Sequence, residues 1–181
     1  MLSAELSATI AHPWTAMQPL RLGSASADFS TADLFITITD EQRPLMRVDV
    51  NRHSEPEAFV FQDAVIWSER VFVGYGSRVY VIDPMKRVGS EIPLGGGGDY
   101  FGEFYADADY LLVASGQSLL RLSPDGDVLW TTPDLGLDGV IVKSVENNVI
   151  SGEGEWDPPG GWEPFEVRLD SGWLLRATKQ F

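Results

Sequence analysis

LLRLSPDGDVLW, residues 119–130, sets two short apolar runs on either side of the turn Pro124-Asp125-Gly126-Asp127. Runs of this length suit strands and fall short of a typical helix. Proline fixes φ at the entry to the turn and aspartate hydrogen-bonds the turn backbone. Glycine takes a left-handed conformation without steric cost. The segment therefore reads as strand, turn, strand, with Trp130 in the second strand.

The same arrangement recurs on both sides of it. VFVGYG (71–76), LLVASG (111–116) and VISGEG (149–154) each end in a glycine, and each precedes a second strand that runs into a turn. Those second strands are VYVIDP (79–84), LLRLSP (119–124) and FEVRLDSG (165–172). Another apolar run stands before each pair, at Phe61–Trp67, Phe104–Ala106 and Val140–Val145. A short fourth strand follows each turn, at Glu91–Leu94, Val128–Thr131 and Trp173–Arg176. The repeat length is about 40 residues, and four short antiparallel strands at that period are the pattern of a propeller blade. The spacing predicts one domain over 1–181, with blade-like repeats at 59–98, 99–138 and 139–176.

The segment 119–130 also resembles the quinoprotein-type repeat, in which a strand enters an Asp-x-x-x-Gly-like turn and then an aliphatic–Trp strand. FEVRLDSGWLL follows that pattern more loosely. VYVIDPMKRVGSEIPL follows it more loosely still, with Pro93 where a Trp would stand. The resemblance covers residues 59–176 and implies β-propeller blades. It implies no quinone site, because cofactor-binding quinoproteins are much longer and build that site from many blades. No cofactor is expected.

Residues 1–58 read as a divergent β unit. LFITIT (34–39) and LMRVDV (45–50), joined through Asp40 to Pro44, form a hairpin, and Ala8–Ile10 and Leu20–Leu22 could complete a fourth blade. The nearest helical candidate, Ser3 to Ala11, is short. Four units would make a small closed propeller, whereas three would leave edges needing a cap or a partner chain. The overall expectation is an all-β chain of repeated four-stranded antiparallel units, a small or partial β-propeller, with a β-sandwich as the alternative.

Composition narrows the function. The chain has no cysteine, which removes disulfides, thiol nucleophiles and thiolate-bound metals together. With 27 acidic and 13 basic residues the net charge is −14, a field that repels nucleic acid and anionic lipid and favours a basic protein partner. The opening MLSAELSATIAHPW carries Glu5 and no basic n-region, and no apolar run is long enough to span a bilayer. A cytoplasmic location is the plain expectation.

The most distinctive segment is 153–165, which lengthens the central hairpin of the third repeat. Glu153, Glu155, Trp156, Asp157, Trp162, Glu163 and Phe165 place aromatics among carboxylates, and Pro158-Pro159-Gly160-Gly161 stiffens and turns the chain. Such a surface suits a basic peptide or a sugar; the alternative is that the tryptophans fold back and cap the sheet. Asp99, Glu103, Asp107 and Asp109 form a second acidic run, read as a solvated loop because their spacing matches no EF-hand. Gly95 to Gly98 lacks the Lys-Ser/Thr and helix of a phosphate loop and reads as a connection. His12 and His53 stand in no catalytic setting, and His53 reads as surface. The functional expectation is a non-catalytic protein-binding module, in its most concrete form an immunity or antitoxin protein against a basic toxin. A carbohydrate-active hydrolase using Glu153, Glu155 or Asp157, and a structural assembly protein, are the alternatives.

Overall fold

The computed structural model describes residues 1–24, 32–53, 61–96, 98–156 and 161–177. Among these, the β-branched and aromatic runs form 16 strands, and a single 3-10 turn spans Trp14–Ala16. The strands make four four-stranded sheets, none of which closes on itself. No helix among the described residues is long and apolar enough to cross a membrane. The chain divides into two compact units, Met1–Ile92 and Pro93–Phe181.

In the first unit, β1 (Leu2–Ser7), β2 (Leu20–Gly23), β3 (Leu34–Asp40) and β4 (Arg43–Asn51) form a sheet ordered β1-β3-β4-β2. The expected hairpin is present, and its two-residue turn puts Glu41 and Gln42 at φ 48° and 67°, the primed geometry that matches strand twist. Two expectations for this region are corrected. The first strand is Leu2–Ser7, neither Ala8–Ile10 nor a helix, because Leu2, Ala4 and Leu6 alternate onto the core while Ser3 Oγ meets Thr39 Oγ1 at 2.6 Å. The sheet is also not wholly antiparallel: β2 runs parallel to β4, having reached the far edge before the β3–β4 hairpin forms. Gly23 is required there, since a Cβ would lie 1.8 Å from the Asn51 carbonyl oxygen.

The second sheet runs in chain order: β5 (Gln62–Trp67), β6 (Arg70–Tyr75), β7 (Arg78–Asp83) and β8 (Val88–Pro93). Val71, Phe72, Val73, Val79 and Ile82 are wholly buried on both faces of β6 and β7, which explains their unbroken apolar runs. Each such side chain contributes about 1.5–3 kcal/mol of burial. Asp83 shapes the turn into β8 by accepting from the Met85 and Lys86 N–H groups at 3.1 and 2.9 Å. Glu91 on β8 joins the two sheets, accepting from the Gly23 N–H and meeting His53 Nε2 at 2.9 Å. His53 is thus half-buried in an ion-pair geometry, contrary to its reading as plain surface.

In the second unit, β9 (Phe101–Ala106), β10 (Leu111–Ser115), β11 (Leu119–Leu122) and β12 (Val128–Thr132) form the third sheet. The fourth comprises β13 (Val140–Glu146), β14 (Val149–Glu155), β15 (Trp162–Arg168) and β16 (Leu174–Ala177). Like the second sheet, both are up-and-down meanders in chain order, the topology of a propeller blade; Greek-key connections of a sandwich would scramble that order. Their shared core is built from Leu112, Leu119, Leu135, Val140, Ile150, Phe165 and Val167. Trp130 ties the two sheets together. Its indole N–H donates to the Leu169 carbonyl, its ring covers Gly172, and Thr132 Oγ1 donates to the Gly172 carbonyl at 2.7 Å.

Of the acidic run read as solvated, Glu103, Asp107 and Asp109 are exposed, and Asp99 alone departs from that reading. It is 2% exposed and accepts from Ser115 Oγ, Ser118 Oγ and the Gln117 and Tyr100 N–H groups. Four donors replace the water that this carboxylate gives up. Glu103 lies on β9 and accepts from the Tyr105 hydroxyl. Gly95 belongs to the same arrangement: its φ is +47°, and a Cβ there would sit 2.3 Å from Asp99 Oδ2.

Candidate functional site

The segment 153–165 is mostly ladder. β14 and β15 pair in register from Val149↔Arg168 to Glu155↔Trp162, and the Trp156 N–H donates to the Gly161 carbonyl at 2.8 Å. The long connection thereby narrows to residues 156–161, and Asp157 lies outside the described residues. Gly154 consequently does not close a hairpin. It sits inside β14 because a Cβ there would fall 1.6 Å from the Leu135 carbonyl oxygen, and only glycine lets the two backbones meet.

Strand alternation sorts the sequence-derived residues onto two faces. Phe165 is 2% exposed and lies over Gly152 in the core, and Glu163, paired with Gly154, is half-buried on that same face. Glu153, Glu155 and Trp162 share the other face, across the ladder from Ile141, Gly139 and Pro164. Trp162 is 38% exposed, and its ring reaches over Gly139: a Cβ on Gly139 would come 2.9 Å from the ring's Cη2 and 3.7 Å from Glu155 Oε2. Glu153 pairs with Lys143 at 3.2 Å. Trp156, just past the end of β14, is half-buried.

Next to this row stands a group that the sequence reading did not single out. The Tyr100 hydroxyl donates to the Asp138 carbonyl and, at 3.0 Å, to Asp138 Oδ1. Burial raises the Tyr100 pKa well above the usual phenol range, and the hydrogen bond to Asp138 and the charges of Asp138, Glu155 and Asp99 add to it. Its ring packs on Gly116, where a Cβ would be 2.7 Å from Cε1. One edge of the second unit therefore presents an aromatic plane, Trp162, with the carboxylates of Glu155 and Asp138 around it. Among the described residues, no group of three or more His, Asp or Glu side chains is placed to hold a metal ion.

No protein-family model matches the chain, and no curated protein matches it. Solved structures resemble it at the level of the chain trace. A chain of the mitotic checkpoint complex is 13% identical over 67% of this chain, with a TM-score of 0.47. A protein of unknown function from Bacteroides caccae is 14% identical over 80%, with a TM-score of 0.48. The Pan2 WD40 domain of Neurospora crassa is 12% identical over 79%, with a TM-score of 0.46. The matched regions make up 39%, 54% and 46% of those chains, so this chain spans about half their length or less.

Proposed function

We propose that the chain is a non-catalytic protein-binding module whose β14–β15 hairpin takes a basic segment of a partner protein. The observation that carries this reading is Trp162, partly exposed and laid over Gly139 beside the Glu155 carboxylate. An aromatic face flanked by carboxylates attracts Lys or Arg through the ring quadrupole and through charge. The net charge of −14 would steer a cationic partner toward the chain. Asp138 extends the negative surface, Glu153 is balanced by Lys143 at its border, and Glu163 and Phe165 support the hairpin from the other face. In its narrower form the proposal is a cytoplasmic immunity or antitoxin protein that neutralises a basic toxin. The quinoprotein-like cast of the repeats belongs to the same proposal, as kinship of blades without a quinone.

The test is titration of a Lys/Arg-rich peptide against the intact chain. Trp162→Ala should weaken binding roughly tenfold, and Glu155→Gln by a smaller factor. Trp173→Ala, which removes a tryptophan that is 70% exposed on the next strand connection, should leave it unchanged. Equal affinity in all three variants would sink the assignment of this face.

A further inference from the structure

A cleft of about 380 Å³ opens in the second unit where β9 and β13 lie side by side. Tyr105 and Tyr110 supply its aromatic rings, Val142 and Val145 line it with them, and Lys143, Ser144 and the β9 chain at Phe104 complete it. That volume lies at the lower end of the range for small-molecule sites, which suits a single ring with substituents.

Local structure explains why the cleft exists. The β13–β14 ladder slips between Val142 and Ser144, so Lys143 drops out of register and the strand bends. The Val142 N–H, which lies at the bend, donates to the Tyr105 hydroxyl at 3.1 Å, and that hydroxyl donates to Glu103 Oε2 at 2.9 Å. Both capacities of the Tyr105 oxygen are spent on holding its ring as a fixed wall. By contrast, the hydroxyls of Tyr110 and Ser144 have no hydrogen-bond partner among the described residues.

The charge around the cleft selects its ligand. Its one cation, Lys143, is already paired with Glu153 at 3.2 Å, and the chain as a whole is strongly anionic. A phosphate or carboxylate would meet a neutralised lysine within a repulsive field, and a cation would find no unpaired carboxylate among the lining residues. What remains is a neutral ring with an apolar face for the aromatics and hydroxyls for Tyr110, Ser144 and the outer protons of Lys143. We infer that this cleft is a binding site for a neutral sugar ring, independent of the Trp162 surface and without chemistry of its own.

The experiment is saturation-transfer NMR on the intact chain with a panel of methyl glycosides of glucose, galactose, mannose and N-acetylglucosamine. At least one glycoside should receive saturation, strongest at the protons of its apolar face. In the double variant Tyr110→Phe/Ser144→Ala the affinity should fall at least about fivefold, the loss expected from two removed hydrogen bonds. Both changes delete oxygens that bond nothing among the described residues, so the amide spectrum should stay native. Absence of transfer to every glycoside would overturn the site, as would a double variant that binds as well as the parent. Transfer to N-acetyltyrosinamide but to no glycoside would overturn it too, in favour of a peptide side chain.

Discussion

The indole N–H of Trp130, midway along β12, donates to the backbone carbonyl of Leu169, in the turn that follows β15, at 2.9 Å. The Arg121 guanidinium donates to the same oxygen at 2.9 Å. The ring then covers the turn glycine Gly172, whose φ is +69°, so closely that a Cβ would stand 2.7 Å from Trp130 Cδ2. Trp130→Phe should cost about 1 kcal/mol through the lost hydrogen bond, and Trp130→Ala about 3 kcal/mol or more through lost packing. Gly172→Ala attacks the same joint from the other side and should cost at least ~1 kcal/mol, since it meets both the ring and a left-handed φ. Urea unfolding of the three variants checks the order.

Asp99 offers a larger effect. Asp99→Ala leaves the Ser115 and Ser118 hydroxyls and two backbone N–H groups without their acceptor in a buried place. The expected loss is about 3–5 kcal/mol. Asp99→Ala in a background where both serines are alanine should lose less than the sum of its parts, because the groups act as one network. Strict additivity in the urea midpoints would show that the network carries no coupling.

Gly154→Ala should be among the most damaging single substitutions in the second unit. The new methyl would fall 1.6 Å from a backbone oxygen, which cannot swing aside as a side chain could. A loss of roughly 3 kcal/mol or more is expected. Gly96→Ala, where a Cβ meets nothing within 4 Å, is the matched control and should be nearly neutral.

Acid should weaken the fold through Asp83. The Lys86 N–H, then the Lys86 and Arg70 charges, lower its pKa below the ordinary 3.8, so the folded chain binds this proton less readily than the unfolded chain. Its contribution is complete above about pH 4 and is lost as pH falls through the lowered value. Asp83→Asn should flatten this part of the acid limb in a plot of Tm against pH.

Alkali should act through the phenols of the second unit. Burial above all pushes Tyr105 up to about 12, so its proton is held more tightly in the folded state. Stability is therefore intact below about pH 10 and drains away as pH climbs toward the raised value. Tyr105→Phe should shorten the alkaline limb of the same plot while lowering Tm at neutral pH, since its two hydrogen bonds are lost.

Local signals carried the blade topology and failed where a partner comes from far along the chain. Asn147-Asn148 is a primed turn with φ of 50° and 65°, and its residues favour that geometry. Ser68-Glu69 adopts the same turn at 48° and 65° with residues that announce nothing of the kind. Gly154 resembled a turn glycine because its real reason, the Leu135 carbonyl, belongs to another segment. Asp99 sat in an acidic run that looked wet, since neither Ser115 nor Ser118 is near it in sequence. β1 was hidden because its partner strand begins at Leu34. In the 153–165 segment, residue types pointed to aromatics among carboxylates, but only the ladder register separates Trp162 and Glu155 on one face from Phe165 on the other.

β16 ends the fourth sheet with no strand beyond it among the described residues, and it carries Leu175 at 48% exposure just after Trp173 at 70%. Such a margin offers unpaired amides and greasy side chains to any copy that drifts close, a template for stacking. Mutual repulsion between highly anionic molecules keeps copies apart at low ionic strength. Concentrated salt shortens that repulsion to a few ångströms, and clumping should then begin along this border.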